Sequence, residues 1–191
     1  MRSHVVRMAI AFRVVVPLPP PVVDVVIPIG DRSQDIENGI RSLHAFVGRR
    51  LPFSTVITIA DRDSADGMRD VAARLAAELH GVRLLRLNEK GRARALAAAW
   101  MTSEARIVAA LDIDRATDME IVPRLIAPVL TGRSALSVGP GFKAMRSDAA
   151  RLLIPHVISR GSLFDAELAL RVAKSSVSRT FGRRRGVLYA N

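Results

Sequence analysis

Asp112-Ile113-Asp114 is the sharpest chemical signal in the chain. It ends "RIVAALDID" (Arg106 to Asp114), an apolar run that reads as a strand closing in carboxylates. Two carboxylates at i and i+2 on extended backbone share one face. Both can therefore approach one hard cation, directly or through water. Mg²⁺ or Mn²⁺ prefers oxygen ligands and keeps phosphates as partners. Such an ion can clamp a diphosphate and stabilise it as a leaving group. By itself the tripeptide also fits a solvated turn after a strand, where Asp is common.

Asp61 stands in the same kind of place, closing "VITIAD". A carboxylate there can accept from a base N–H or a ribose hydroxyl, or it can simply form the turn. Asp63, Ser64 and Asp66 read as builders of that turn and caps for the helix after it. "NEKGRARA" (Asn88 to Ala95) opens a helix with Lys90, Arg92 and Arg94. Cations at a helix N-terminus suit a phosphate, and they equally suit a solvated surface. The first strand is followed by "PIGDRSQD", not G-x-G-x-x-G, so the dinucleotide-binding fingerprint is missing.

These residues need a frame to hold them, and the apolar pattern predicts one. "VVDVVIPI" (Val22 to Ile29), "STVITIA" (Ser54 to Ala60), "VRLLRL" (Val82 to Leu87) and "RIVAALDID" read as buried strands. Between them lie helical patterns. One is capped by Asp31 and Ser33 and runs to about Val47, with Ile36, Ile40, Leu43 and Val47 on one face. The next ends at Leu79 before Gly81. An Ala-rich helix runs from Arg92 to about Met101, and a pattern from Met119 to Leu130 carries Pro123 and Pro128. Strand–helix alternation with uninterrupted apolar strands predicts an α/β fold, a parallel sheet covered on both faces. Ligands of such sheets bind at the carboxyl ends of the strands. That selects the loops Pro28 to Ser33, Asp61 to Gly67, Asn88 to Arg94 and Asp112 to Asp118, all polar.

The chain of 191 residues is 49% hydrophobic, enough for one packed domain, which excludes a chain disordered throughout. It has no cysteine, so disulfides, zinc ribbons and thiol nucleophiles are excluded. The net charge of +11 favours anionic partners, although only Lys90, Lys143 and Lys174 are lysines and the arginine excess matches an Ala- and Arg-rich composition. Aromatic residues are 4%, too few for stacking platforms, so no nucleic-acid partner is expected. No apolar run is long enough to span a bilayer, and Arg7 and Arg13 break the signal-like start. Residues 1–21, with Pro17, Pro19, Pro20 and Pro21, read as a stiff extension, residues 22–173 as the domain, and 174–191 as a basic tail.

Four segments then match a known family in order and spacing. "VDVVIPIGDRSQDIENGIRSL", "VITIADRDSADGMRDVAARLA", "LNEKGRARALAAAW" and "AALDIDRATDMEIVPRLIAPVL" resemble a family-2 glycosyltransferase of GT-A fold, a Rossmann-like, mostly parallel sheet with helices on both faces. "DIDRATDM", "GFKAMRSDAARLLIP" and "LFDAELAL" look like dolichyl-phosphate (polyprenyl-phosphate) sugar synthases in particular. The resemblance implies a metal-dependent, inverting transfer of sugar from a UDP- or GDP-linked donor to a polyprenyl phosphate. The protein would then be cytoplasmic, with peripheral contact at the inner face of a membrane. It implies Pro28, Asp31, Asp61, Lys90, Arg92 and Asp112 on the nucleotide-sugar side, and Asp112 and Asp114 as ligands of Mg²⁺ or Mn²⁺. Asp114 and Asp165 would be the catalytic carboxylates, and Lys143 and Arg146 would face the acceptor. Glu167 matches a second carboxylate of the later helix. A transferase acting on a sugar hydroxyl, with Asp165 as base, and a non-catalytic nucleotide- or membrane-binding member are the alternatives.

Two departures stand out. Relatives place several dozen residues between the helix after the metal motif and Gly-Phe-Lys, whereas here "TGRSALSVGP" fills that place. There too the usual Gln-Cys before Gly-Phe-Lys is Gly139-Pro140. The second departure is the tail: after Val172, "AKSSVSRTFGRRRGVLYAN" shows no amphipathic period and no acidic residue, where relatives have a further strand. The donor half is thus expected to bind, and transfer to be slow or absent.

Overall fold

The computed structural model describes residues 19–30, 35–62, 64, 66–87, 91–113, 119–159, 161 and 163–175. Strand β1 (Val23–Ile29) is followed by helix α1 (Ile36–Arg50), β2 (Thr55–Asp61), α2 (Asp66–Glu78), β3 (Val82–Arg86), α3 (Arg92–Thr102) and β4 (Ile107–Leu111). Then come α4 (Ile121–Leu130), β5 (Leu136–Gly139), β6 (Phe142–Arg146), α5 (Ser147–Leu153), a 3₁₀ turn (Ile154–His156) and α6 (Phe164–Lys174). The strands form one sheet in the order β3-β2-β1-β4-β6-β5.

β1 is parallel to β2 and β4, and β2 is parallel to β3. β6 runs antiparallel to β4 and to β5, so the sheet is mixed and mostly parallel, as the GT-A resemblance implies. The chain moves outward from β1 through β2 to β3 and then returns to β4 on the other side of β1. The order therefore reverses between β1 and β4, and open α/β sheets take their ligands at the carboxyl ends of the strands beside such a reversal.

Alternation along each strand divides the core in two. Val23, Val25, Ile27 and Ile29 of β1 pack with Ile40 and Leu43 of α1, Leu75 of α2 and Ile126 of α4. On the other face Val26, Val108 and Met145 pack with Leu96 and Trp100 of α3, Leu153 of α5 and Phe164 and Leu168 of α6. Trp100 is fully buried and donates its indole N–H to the Ala109 carbonyl at 3.1 Å. Asp24, fully buried on β1, accepts from Thr58, Ser103 and Arg83, each at 2.6 Å. A buried carboxylate needs such a set of donors to offset its lost hydration.

Several boundaries differ from the expectation. α1 starts at Ile36 after Asp35, which takes a left-handed φ of 53° and accepts from Asn38 at 2.6 Å; Asp31 and Ser33 lie outside the described residues. β4 stops at Leu111, so Asp112 lies past the strand rather than on it. The Asp112 N–H turns to the Gly141 carbonyl at 2.7 Å, in the turn between β5 and β6. α4 starts at Ile121, with Pro123 in its first turn, where proline costs little, and Pro128 in its last. β6 and α5 had no counterpart in the sequence reading. The segment between α4 and β6 folds as a short β-hairpin, with Gly141 at φ 65° in its turn.

Candidate functional site

Asp112 follows β4 at the point of reversal, with its side chain 14% exposed. α3 begins on the facing layer at Arg92, and Arg92 Nη1 meets Asp112 Oδ2 at 2.7 Å. The next residue, Ile113, packs against α1 at Gly39, where any Cβ would stand 2.4 Å from Ile113 Cγ1. Asp112 and Ile113 are thus held between two layers.

On the antiparallel neighbour, Lys143 pairs in register with Ala110. Its side chain is 11% exposed and its ammonium donates to Asp165, in the first turn of α6. Burial pulls the Lys143 pKa below the usual lysine range, Asp165 opposes that shift, and the charges of Arg92 and Asp112 also reach it. Arg92, Asp112, Lys143 and Asp165 therefore form one patch of alternating charge at the carboxyl end of β4.

Arg146 does not join this patch. It is three residues from Lys143, so on a strand it faces the other side of the sheet. It pairs in register with Ile107, at the amino end of β4, and forks onto Asp148 (Nε–Oδ1 3.0 Å). There it lines an open cleft of about 500 Å³ with Arg106, Thr131 and Arg151, away from the reversal point.

Asp61 ends β2 and is 2% exposed. Its Oδ1 accepts the Ser64 N–H at 2.9 Å and the Ser64 hydroxyl at 2.6 Å, while Arg69 Nε stands 3.5 Å from Oδ2. The carboxylate is thus taken up by the turn into α2. Pro28 lies in β1 opposite Ala60, two residues before Gly30. Glu167 accepts the Ile158 and Ser159 N–H groups and the Arg171 side chain. Those two backbone N–H groups, followed by Arg171, pull its pKa down to about 2. It is a strap for the loop before α6. Asp31, Lys90 and Asp114 lie outside the described residues.

Arg62, directly after β2, went unnoticed in the sequence. Its guanidinium lies against Gly30 at the end of β1, and its buried Nε has no hydrogen-bond partner among the described residues. The only linear sign of it is a cation placed between Asp61 and Asp63 at a strand end.

Mg²⁺ or Mn²⁺ can be held by one or two carboxylates when phosphates and water supply the rest. Among the described residues no three His, Cys, Asp or Glu side chains gather to enclose an ion. The donor chemistry here, Asp112 with Asp114 two residues on, fits an ion shared with a phosphate ligand rather than one caged by protein alone.

Several solved structures share this architecture. TarS from S. aureus, in complex with UDP-GlcNAc, aligns with a TM-score of 0.57 at 13% identity, over 78% of this chain and 53% of that one. Glucosyl-3-phosphoglycerate synthase from Mycobacterium tuberculosis, with Mn²⁺, UDP and glucosyl-3-phosphoglycerate, aligns at 0.52 and 16% identity, over 68% and 58%. A mannosyltransferase from Pyrobaculum calidifontis, with GDP-mannose and Mn²⁺, aligns at 0.51 and 16% identity, over 81% and 54%. The chain spans a little over half the length of these structures, which share its GT-A fold. The comparison with curated proteins found no match. The family model described as Glycosyl transferase family 2 matches residues 24–179, most of the chain, and this protein belongs to that family.

Proposed function

We propose that this chain is a metal-dependent, inverting glycosyltransferase that moves a sugar from a UDP- or GDP-linked donor to a polyprenyl phosphate. The observation that carries the reading is the buried Lys143, paired with the half-exposed Asp165 and set beside Asp112. Asp112 marks the diphosphate side, and a buried cation on the next strand supplies a seat for a second anion. A divalent ion held by Asp112 and Asp114 would neutralise charge on the departing diphosphate.

An acceptor phosphate is anionic near neutral pH, so its oxygen attacks without a general base. The new bond from that oxygen to the anomeric carbon forms as the bond from that carbon to the diphosphate breaks. Attack from the face opposite the leaving group inverts the centre. Lys143 holds the acceptor phosphate, exchanging Asp165 for it; Asp165 keeps the ammonium charged in the meantime. A sugar-hydroxyl acceptor would instead need Asp165 as a free base, and its contact with Lys143 weakens that role.

α6 supports a lipid acceptor. Its buried stripe is Phe164, Leu168 and Val172, yet the opposite face is apolar too: Leu163, Ala166, Leu170 and Ala173 are exposed. Ile158, in the loop that Glu167 straps down, is 80% exposed. From Leu168 to Asn191 there is no acidic residue and there are six cations, a pattern suited to an anionic lipid surface.

Incubation with Mn²⁺, UDP- and GDP-sugars and polyprenyl phosphate, followed by lipid extraction, tests the reading. Lipid-linked sugar is expected from the wild type and none from Lys143→Met, with donor affinity unchanged. Product formed only on sugar-hydroxyl acceptors would contradict the lipid acceptor.

A further inference from the structure

The cleft at the amino end of β4 takes no part in the transfer described above. Its volume of about 500 Å³ is that of a small-molecule site. Ile107 of β4 and Val129 and Leu130 of α4 give it an apolar wall. Arg106, Arg146 and Arg151 line it from three places in the fold: just before β4, at the end of β6, and in α5.

The backbone beneath these arginines is pinned. Ser103 donates its hydroxyl to the buried Asp24 at 2.6 Å, and its carbonyl accepts from Arg151 Nη2 at 2.7 Å. Ser147 donates its hydroxyl to the Ala105 carbonyl at 2.5 Å and its N–H to the Arg106 carbonyl at 3.0 Å. The cleft is thus formed before any ligand arrives, and binding there costs little ordering.

Charge selects the ligand. The Arg106 side chain is exposed and makes no hydrogen bond or ion pair among the described residues. Arg146 forks onto Asp148, whose side chain is 62% exposed, and an ion pair so open to water is readily exchanged for another anion. Three guanidiniums against Asp148 and Glu104 leave the cleft cationic. Like charges gathered in one cleft repel, and an anion relieves that repulsion. Guanidinium forks match the oxygens of phosphate. A bare phosphate would leave the apolar wall uncovered, so the wall calls for an organic body on the phosphate. The place is also separate from the catalytic patch: Ile107 and Leu111 are four residues apart on β4, about 13 Å.

We propose that this cleft binds a small organic phosphate, a phosphate monoester with an apolar body, at a second site distinct from those of donor and acceptor. The proposal does not depend on the transfer reaction.

Calorimetric titration with phenyl phosphate and with inorganic phosphate, both in chelator, tests it. The wild type should bind phenyl phosphate more tightly than inorganic phosphate. Arg106→Gln and Arg151→Gln should each weaken phenyl phosphate about tenfold, the worth of one charge-assisted contact. Asp148→Asn removes the carboxylate that competes for Arg146 and should tighten binding severalfold, a gain that a misfolded variant cannot mimic. Lys143→Met should bind phenyl phosphate as the wild type does. No binding of phenyl phosphate to the wild type would overturn the proposal. So would a loss in Lys143→Met with none in Arg106→Gln, which would put the phosphate at the carboxyl end of β4. Inorganic phosphate binding as tightly as phenyl phosphate would also overturn it, since the apolar wall would then contribute nothing.

Discussion

Gly39 and Ile113 are in a contact that tolerates no side chain: a Cβ on Gly39 would stand 2.4 Å from Ile113 Cγ1 and 3.0 Å from its Cδ1. The residue between Asp112 and Asp114 is thus seated in a notch on α1. Gly48, on the same helix, has nothing within 4 Å of its own ideal Cβ. The two glycines should therefore respond oppositely to alanine. Gly48→Ala should stabilise by roughly 0.5–1 kcal/mol, the helix-propensity difference. Gly39→Ala gains the same propensity but overpacks the site, at about 1–3 kcal/mol. Its melting temperature should not rise, and its Mn²⁺-dependent nucleotide affinity should fall. A stabilised Gly39→Ala with unchanged affinity would show that the loop moves freely.

Arg92 occupies the Asp112 oxygen on which a divalent ion would draw. Arg92→Gln should therefore raise the affinity for Mn²⁺ alone and lower the affinity for nucleoside diphosphate, because the guanidinium also suits phosphate. Electron paramagnetic resonance of free Mn²⁺ reads the first, and calorimetry the second. Weaker binding of Mn²⁺ alone would contradict the competition.

Asp61 accepts two hydrogen bonds from Ser64 in a buried turn. Asp61→Ala should leave those donors unpaired and cost about 1–3 kcal/mol, seen as a melting temperature several degrees lower. An unchanged melting curve with weakened nucleotide binding would return Asp61 to a role at the base.

Glu167 has its pKa pulled from 4.5 to about 2 by the N–H groups of Ile158 and Ser159 and by Arg171. A depressed carboxylate stabilises the fold above its unfolded pKa, and that contribution disappears as pH falls through the folded value. The wild type should thus exceed Glu167→Gln in stability at neutral pH, with the gap closing between about pH 4.5 and 2. Amide exchange at Ile158 and Ser159 should speed up over the same window. A gap that stays constant down to pH 2 would mean the strap does not depend on charge.

Much of the frame is readable in the linear chain because β1, β2 and β4 are buried on both faces and are therefore apolar runs. Asp112 is readable for the same reason: the apolar run stops where it begins. β6 is hidden because Lys143 and Arg146 interrupt its apolar residues, and its partner β4 lies some thirty residues away in sequence. The separation of Lys143 from Arg146 was open to inspection, since an odd spacing on a strand puts two side chains on opposite faces. α5, with seven residues, is too short for a helical period to show. Arg62 gains its meaning only from Gly30 across the sheet, a pairing that no local pattern carries.

The central claim is that the carboxylates after β4 bind a nucleotide sugar through a divalent ion. Calorimetry of UDP- and GDP-sugars, with Mn²⁺ and then with chelator, on the wild type and Asp114→Asn, tests it most directly. The account predicts binding to the wild type in Mn²⁺, loss of that binding in chelator, and loss in Asp114→Asn, whose amide is a poorer ligand for a hard cation. Equal affinity with and without the ion, or in the wild type and the variant, would contradict it.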